Sequence, residues 1–188
     1  CSPDGTKWNP GEIHPMAHYR RNRLKGGTFF FTVTLADRRS RLLVDHMGLL
    51  RETFRAVRHE RPFQTEAIAV LPDHLHVIWK LPQDDDDYPG RWRAIKSRFT
   101  HMLRKRGAPL TPNAMGEYRL WARRYWEHTI RDDGDLQRHA DYIHFNPVKH
   151  GHATRAIDWP HSTIHQYVER GLLPHDWACE LQHGGFGE

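Results

Sequence analysis

The stretch Glu66-Ala-Ile-Ala-Val-Leu-Pro-Asp-His-Leu-His-Val-Ile-Trp-Lys-Leu81 decides how this chain folds. It holds two runs of apolar and β-branched residues, 66–71 and 75–81, on either side of Pro72-Asp73. Pro72 fixes its own φ, and an aspartate bonds readily to neighbouring backbone, so the pair makes a tight connection. The whole reads as a β-hairpin. Successive side chains of a strand alternate faces, so His74 and His76 share one face while Leu75, Val77 and Trp79 take the other.

Working outward, Phe29-Phe-Phe-Thr-Val-Thr-Leu35 is an upstream strand. Between residues 43 and 59, Val44, Met47, Leu50, Phe54 and Val57 recur at spacings of three and four, the pattern of an amphipathic helix. Downstream, Trp92, Ile95, Phe99 and Leu103 mark a second helix, which carries Arg91, Arg93, Lys96, Arg98, Arg104, Lys105 and Arg106 and ends at Gly107. Residues 119–130, with Trp121, Tyr125 and Trp126, read as a fourth strand, and 162–169 as a short last helix. Between them Leu136, Ala140 and Ile143 set a third helix against a core, with Pro147 expected to stop it. Strand, helix, strand, strand, helix, strand, helix is the order of an α+β ferredoxin-like sandwich, a central antiparallel sheet with helices over one face.

The 188 residues suffice for one domain with arms. We expect an irregular N-terminal arm over 1–18, a catalytic unit over 19–151 and an extension over 152–188. A net charge of +5 and a pI near 9.4, before sixteen histidines are counted, point to nucleic acid or an acidic surface. No apolar run is long enough to span a bilayer, and no signal peptide is recognisable. Cys1 and Cys179 are too few for a disulfide framework, so a reducing cytoplasm is the expected home. For the cationic Tyr19-Arg-Arg-Asn-Arg-Leu-Lys25, a solvated charge run and a phosphate-gripping arm fit equally well. The aspartates 84–87 read as a solvated loop.

Tyr142 and Asn146 are four residues apart and would lie on one helix face, displaying a phenol beside an amide. A histidine pair on a stiff strand is a start for a metal site, but sixteen histidines give roughly one such pair by chance. His150-Gly-His152 is indeed a second. Spacing alone therefore leaves a packed pair and a ligand pair both open.

Three motifs together carry more. His74-Leu75-His76 resembles the HUH motif (two histidines around a bulky apolar residue) of single-strand DNA endonucleases. Tyr142-Ile-His-Phe-Asn-Pro-Val-Lys-His-Gly151 is similar to the signature of the REP-associated tyrosine transposases. So are Arg124-Tyr-Trp-Glu-His-Thr-Ile-Arg131 and Pro72-Asp-His-Leu-His76, in order and in distance from the tyrosine. The resemblance runs from about Tyr19 to Gly171. It implies the HUH single-strand nuclease version of the sandwich, with Tyr142 as nucleophile and His74, His76 and Asn146 as metal ligands. Two imidazoles and an amide suit Mg²⁺ or Mn²⁺ better than a closed zinc site. The implied partner is single-stranded DNA with REP-like hairpins, handled by a monomer or homodimer, in a bacterial cytoplasm beside the nucleoid, with no membrane. Candidate DNA contacts are Tyr19, Arg20, Arg21, Arg23, Lys25, Trp92, Arg93, Lys96, Lys149 and His150. The metal, the phosphate environment or a neighbour such as His139 or His144 could help remove the Tyr142 proton, and Glu127 is expected to be structural, with proton handling the lesser reading. A non-catalytic hairpin-binding module on the same fold is the alternative reading; a hydrolase of small phosphoesters fits the basic charge poorly.

Overall fold

The computed structural model describes residues 22–110, 112, 115, 116 and 118–177. The 66–81 stretch is a hairpin: β2 (Gln64–Val70) and β3 (His74–Lys80) pair antiparallel with Val70 opposite Leu75. β1 (Thr28–Thr34) lies along the other side of β3, placing Thr32 opposite His76 and Thr34 opposite His74. β4 (Trp126–Thr129) pairs with β1, so the sheet order is β2-β3-β1-β4 with every neighbour antiparallel. This is the ferredoxin-like arrangement.

One face of the sheet carries the large core. Phe29, Phe31 and Val33 of β1 and Leu75, Val77 and Trp79 of β3 are fully buried there beneath α2 (Met47–Glu60) and α3 (Tyr88–Lys105). The indoles of Trp79 and Trp92 stack at 4.3 Å with 16° between planes. Burying such side chains contributes on the order of 2–3 kcal/mol each, which makes this face the main source of stability. The other face bears Phe30, Ala67, Ala69 and Ile78 and packs against α4 (Asp133–Lys149). Helices therefore cover both faces. The expectation of one covered face fails because α4, which follows the completed sandwich motif, buries Ala140 and Ile143 on the side that α2 and α3 leave open.

Other boundaries also shift. The helix expected over 43–59 breaks at His46 into α1 (Leu42–Asp45) and α2. The fourth strand shrinks to four residues. Upstream of it Leu35 and Trp121 form an isolated bridge rather than a continued strand, because Trp121 turns to α3, where its indole donates to the Lys96 carbonyl at 3.2 Å. Of the aspartates 84–87, Asp84 is solvated as expected, but the other three are tied down. Asp85 makes a bidentate pair with the buried Arg91 guanidinium at 2.7 and 2.8 Å, and Asp87 caps α3 by accepting the Gly90 N–H. The last helix, α5, begins at Ile164 and runs to Glu169, because the residues before it line the edge of β2. Val70 donates to the His161 carbonyl, and Thr163 donates to the Ile68 carbonyl, both at 2.9 Å.

Pro147 does not end α4. Its ring removes one ladder bond, the one to the Ile143 carbonyl, yet the helix runs on to Lys149. The stop is Gly151 in the left-handed region (φ +69°): His152 donates to the Pro147 carbonyl and Gly151 to that of Val148, a Schellman closure.

Candidate active site

The histidine pair opens β3 on the face that α4 covers, and both rings are buried. They stand edge to face at 5.0 Å. His74 Nδ1 donates to Asp73 Oδ1 at 2.8 Å, while the other oxygen of Asp73 pairs with Arg38 at 2.9 Å. His76 Nδ1 meets the Thr32 hydroxyl at 2.9 Å, directly across the β1–β3 register. Nε2 of each ring is thereby left as the nitrogen available to a ligand. Burial first, then the neighbouring His74 and His150, push the His76 pKa well below its usual range, so its imidazole is neutral.

α4 brings the remaining groups. Its N-cap is Asp132, whose side chain accepts the Asp135 N–H. The Tyr142 ring lies 5.1 Å from His76 and 6.0 Å from Phe30, edge-on to both. Asn146, one turn later, is fully buried. Its amide is close enough to favour the charged forms of His76 and Tyr142 without hydrogen-bond geometry to either. Three buried polar atoms thus converge without a partner among the described residues: His76 Nε2, Asn146 Oδ1 and Asn146 Nδ2. An unsatisfied buried group costs about 1–3 kcal/mol, so such a cluster marks a place that something else completes. Two imidazole nitrogens and one uncharged amide oxygen fit an open divalent-cation site. Burial raises the Tyr142 pKa, against the Asn146 amide, which lowers it.

Lys149 extends its ammonium to 5.5 Å from the Tyr142 ring centre, and the exposed His150 ring lies 5.2 Å from His74. These two expected contacts are at the site. Others are not. Trp92 is 1% exposed and stacked on Trp79 beneath the opposite face of the sheet, so it is a core residue and not a DNA contact. Arg93 is exposed on the same helix, also on the side away from Tyr142. Lys96 is occupied by the Ala122 carbonyl at 3.4 Å and the rings of Trp121 and Tyr125. Arg23 pairs with Asp86 at 3.1 Å, while Lys25 is exposed in the turn before β1. Tyr19, Arg20 and Arg21 lie outside the described residues, as do both cysteines. Glu127 is buried on the core side and accepts the Tyr88 hydroxyl at 2.9 Å, the expected structural role.

His144 cannot take the Tyr142 proton. It faces α5, with Nε2 against the Thr163 hydroxyl at 3.1 Å and its ring 4.5 Å from Tyr167, and burial pushes its pKa down to about 4. His139 lies on the correct side. It belongs to a network that residue spacing did not reveal: Asp135 meets His128 at 2.8 Å and His139 at 3.2 Å, and the two imidazoles stack at 4.6 Å. Burial opposes ionisation of Asp135, but bonds from His128 and the Arg131 N–H outweigh it and hold the carboxyl at about 2. These three residues bring ligand atoms within 4.8 Å of one another and form a second set able to hold a cation, although the atoms already satisfy each other. Beside Tyr142 the network borders an open hollow of about 300 Å³, lined also by Phe30, Thr32, Trp126 and Arg138.

Comparison with known proteins agrees with this geometry. Residues 28–146 match the family described as "Transposase IS200 like". A REP-associated tyrosine transposase of Escherichia coli K12 is 47% identical over 173 residues, covering 92% of this chain and 98% of its own. A relative from Haemophilus influenzae is 43% identical over 166 residues, 87% of this chain and 94% of its own. Among solved structures, a REP-associated tyrosine transposase bound to a REP hairpin superposes with a TM-score of 0.76 at 48% identity, covering 87% of this chain and 92% of that one.

Proposed function

This chain belongs to the IS200-like transposase family and is therefore an enzyme of DNA transposition, and we propose that it nicks and rejoins single-stranded DNA at REP-type hairpins through a 5′-phosphotyrosine link on Tyr142. The hairpin carried by the structural relative supports that substrate class. One observation carries the mechanism: the Tyr142 ring stands 5.1 Å from a buried His76 whose Nε2 has no partner, with Asn146 one helical turn on.

His74, His76 and Asn146 would hold Mg²⁺ or Mn²⁺. When bound, such an ion polarises the scissile phosphate and offsets charge developing in the transition state. The Tyr142 oxygen attacks phosphorus in line and the bond to the 3′-oxygen breaks. Tyr142 keeps the 5′-phosphate, and the departing oxygen takes up a proton. One phosphodiester replaces another, so a new 3′-OH can reverse the step and join strands without ATP. Because burial keeps the phenol protonated, a base is required. His139 fits that role: it sits three residues before Tyr142, burial keeps it neutral, and its Nδ1–H donates to the Asp135 carbonyl, leaving Nε2 to accept. The Lys149 ammonium then favours the phenolate.

Tyr142 meets the histidines of its own chain, which supports a site completed in cis, whether in a monomer or in each half of a homodimer. The catalytic unit is 19–151, and the extension from 152 covers the edge of β2. A DNA substrate places the protein with the nucleoid in the cytoplasm; among the described residues no helix is long and apolar enough to cross a membrane.

The test is incubation with a single-stranded REP-type hairpin and Mn²⁺. The protein should form a covalent adduct that denaturing electrophoresis detects and a chelator prevents. Tyr142→Phe should bind the hairpin and form none. An adduct with the phenylalanine variant would sink the mechanism.

A further inference from the structure

A general base works only when its ring is held, because an imidazole free to turn presents the wrong nitrogen or none. His139 is held at three places. Phe30 of β1 and His128 of β4 are register partners, and the His139 ring lies against both, at 4.9 Å from the first and 4.6 Å from the second. Its plane is within 14° of the His128 plane. Trp126, two residues earlier on β4, stacks on His128 in turn at 5.9 Å and 8°. The third hold is on Nδ1, which donates to the Asp135 backbone carbonyl at 2.8 Å and lies 3.2 Å from Asp135 Oδ1. The ring borders the same hollow as Tyr142.

The Asp135 carboxylate is buried and fully engaged. Oδ2 bonds to His128 Nε2 at 2.8 Å and accepts the Arg131 N–H at 3.1 Å. Oδ1 meets the Arg138 guanidinium at 3.3 Å as well as His139. An ionised carboxylate offers about two acceptor positions per oxygen, so in this arrangement none is left over for a cation. Capping α4 explains the Arg131 bond alone, because Asp132 already takes the Asp135 N–H. The remaining contacts face β4 and the base. A carboxylate kept ionised beside an imidazole favours positive charge on that ring.

We propose that Asp135, clamped by His128, is a positioning residue that holds His139 in the orientation and tautomer for proton abstraction and meets the charge His139 then acquires. This rests on the reading of Tyr142 as nucleophile and His139 as its base, and adds the pair that makes the base work. As the Tyr142 O–H bond breaks, its proton goes to His139 Nε2 and the electron pair stays on the phenolic oxygen, which bonds to phosphorus. The 3′-oxygen leaves on the opposite side with the electrons of the broken P–O bond and takes its proton from water. The imidazolium is then paired with the carboxylate 3.2 Å away. Rejoining runs the same steps backwards and returns the proton to Tyr142.

The experiment measures single-turnover adduct formation on a single-stranded REP-type hairpin with Mn²⁺, and hairpin affinity by fluorescence anisotropy, both on the full chain. Asp135→Asn keeps the shape and the Arg131 bond. It should bind the hairpin as the parent does and form adduct about a hundredfold more slowly, within the roughly 10²–10⁴-fold that a general base supplies. His128→Phe keeps a stacked ring but drops the bond to Asp135, and should lose a smaller part, about tenfold; it reads the same effect should the asparagine variant not fold. In a His139→Ala background neither change should slow the reaction further, because both act through that ring. The groups facing His139 are His128 from β4 and Asp135, Arg138 and Tyr142 from its own helix, while β1 presents the uncharged Phe30 and Thr32. The Asp135 charge makes His139 more basic, so the acid limb of the pH–rate profile should move to lower pH in Asp135→Asn. A loss that persists without His139, or an acid limb that stays in place, makes Asp135 a residue of the fold alone and overturns the proposal. A parental rate in Asp135→Asn beside a slow His139→Ala overturns it too, and leaves the base standing. A parental rate in His139→Ala removes base and proposal together, while Tyr142→Phe still decides the nucleophile.

Discussion

Two hydrogen bonds decide which nitrogens the histidine pair offers. Asp73 engages Nδ1 of His74 and Thr32 engages Nδ1 of His76, so removing either partner loosens a ring and its tautomer. Asp73→Asn should weaken Mn²⁺ binding in the presence of hairpin DNA by about 10- to 100-fold, as such partners typically do when mutated; unchanged affinity in a calorimetric titration would assign Asp73 to the fold alone. A second residue governs acid stability. His144 has an ordinary pKa of 6.5 and a buried one of about 4, so between those values the unfolded chain binds a proton that the folded chain refuses. Its contribution is complete above about pH 6.5 and drains as pH falls toward 4, by up to ~3 kcal/mol. His144→Gln should flatten the dependence of the unfolding midpoint across that window; an unaltered slope would locate the acid sensitivity elsewhere. At this scale local spacing, two residues on a strand or four on a helix, showed only that His74 and His76, and Tyr142 and Asn146, share a face; their roles came from the resemblance of three motifs to a known family. Thr32, Asp135 and His128 were not legible, because each acts through a contact that only the β-register or the docking of α4 creates.

The elements follow the same division between local and non-local causes. β1, β2, β3 and α3 were readable from apolar spacing, which burial on one face imposes directly. The end of α4 was misread because the proline rule weighs one missing hydrogen bond, whereas packing around Pro147 and the closure at Gly151 decide the outcome. Gly151→Ala should test this: its φ of +69° is strained for alanine, so we expect a loss of about 1 kcal/mol and a fall of roughly 2–4 °C in melting temperature. Lys149 and His150 sit on that last turn. The same variant should therefore lower the rate of adduct formation, and full activity beside a lowered melting point would separate the cap from the chemistry.

For the molecule as a whole, the order of elements was enough to set the sheet topology, but not that α4 would take the second face or that residues 161–163 would close the edge of β2. Both depend on which surfaces the first six elements leave uncovered. A chain ending at Gly151 would expose that edge and leave the buried His144 without Thr163. It should melt lower than the full chain and self-associate as concentration rises in sedimentation; a stable monomer would show that the extension serves DNA alone. The strand alternation described at the outset also reaches further than geometry. In β1 and β3 the even-numbered positions, Phe30, Thr32, His74 and His76, serve the catalytic face, while the odd-numbered Phe29, Phe31, Val33, Leu75, Val77 and Trp79 form the core. Selection therefore acts on two interleaved lists within the same few residues. Damage at His74 or His76 is expected to leave a folded protein that cannot cut, whereas damage at the odd positions, or at Phe30 in the core beneath α4, leaves too little protein to ask. A lineage that abandoned transposition but kept hairpin binding would drift at the two histidines and stay constant at the core positions around them.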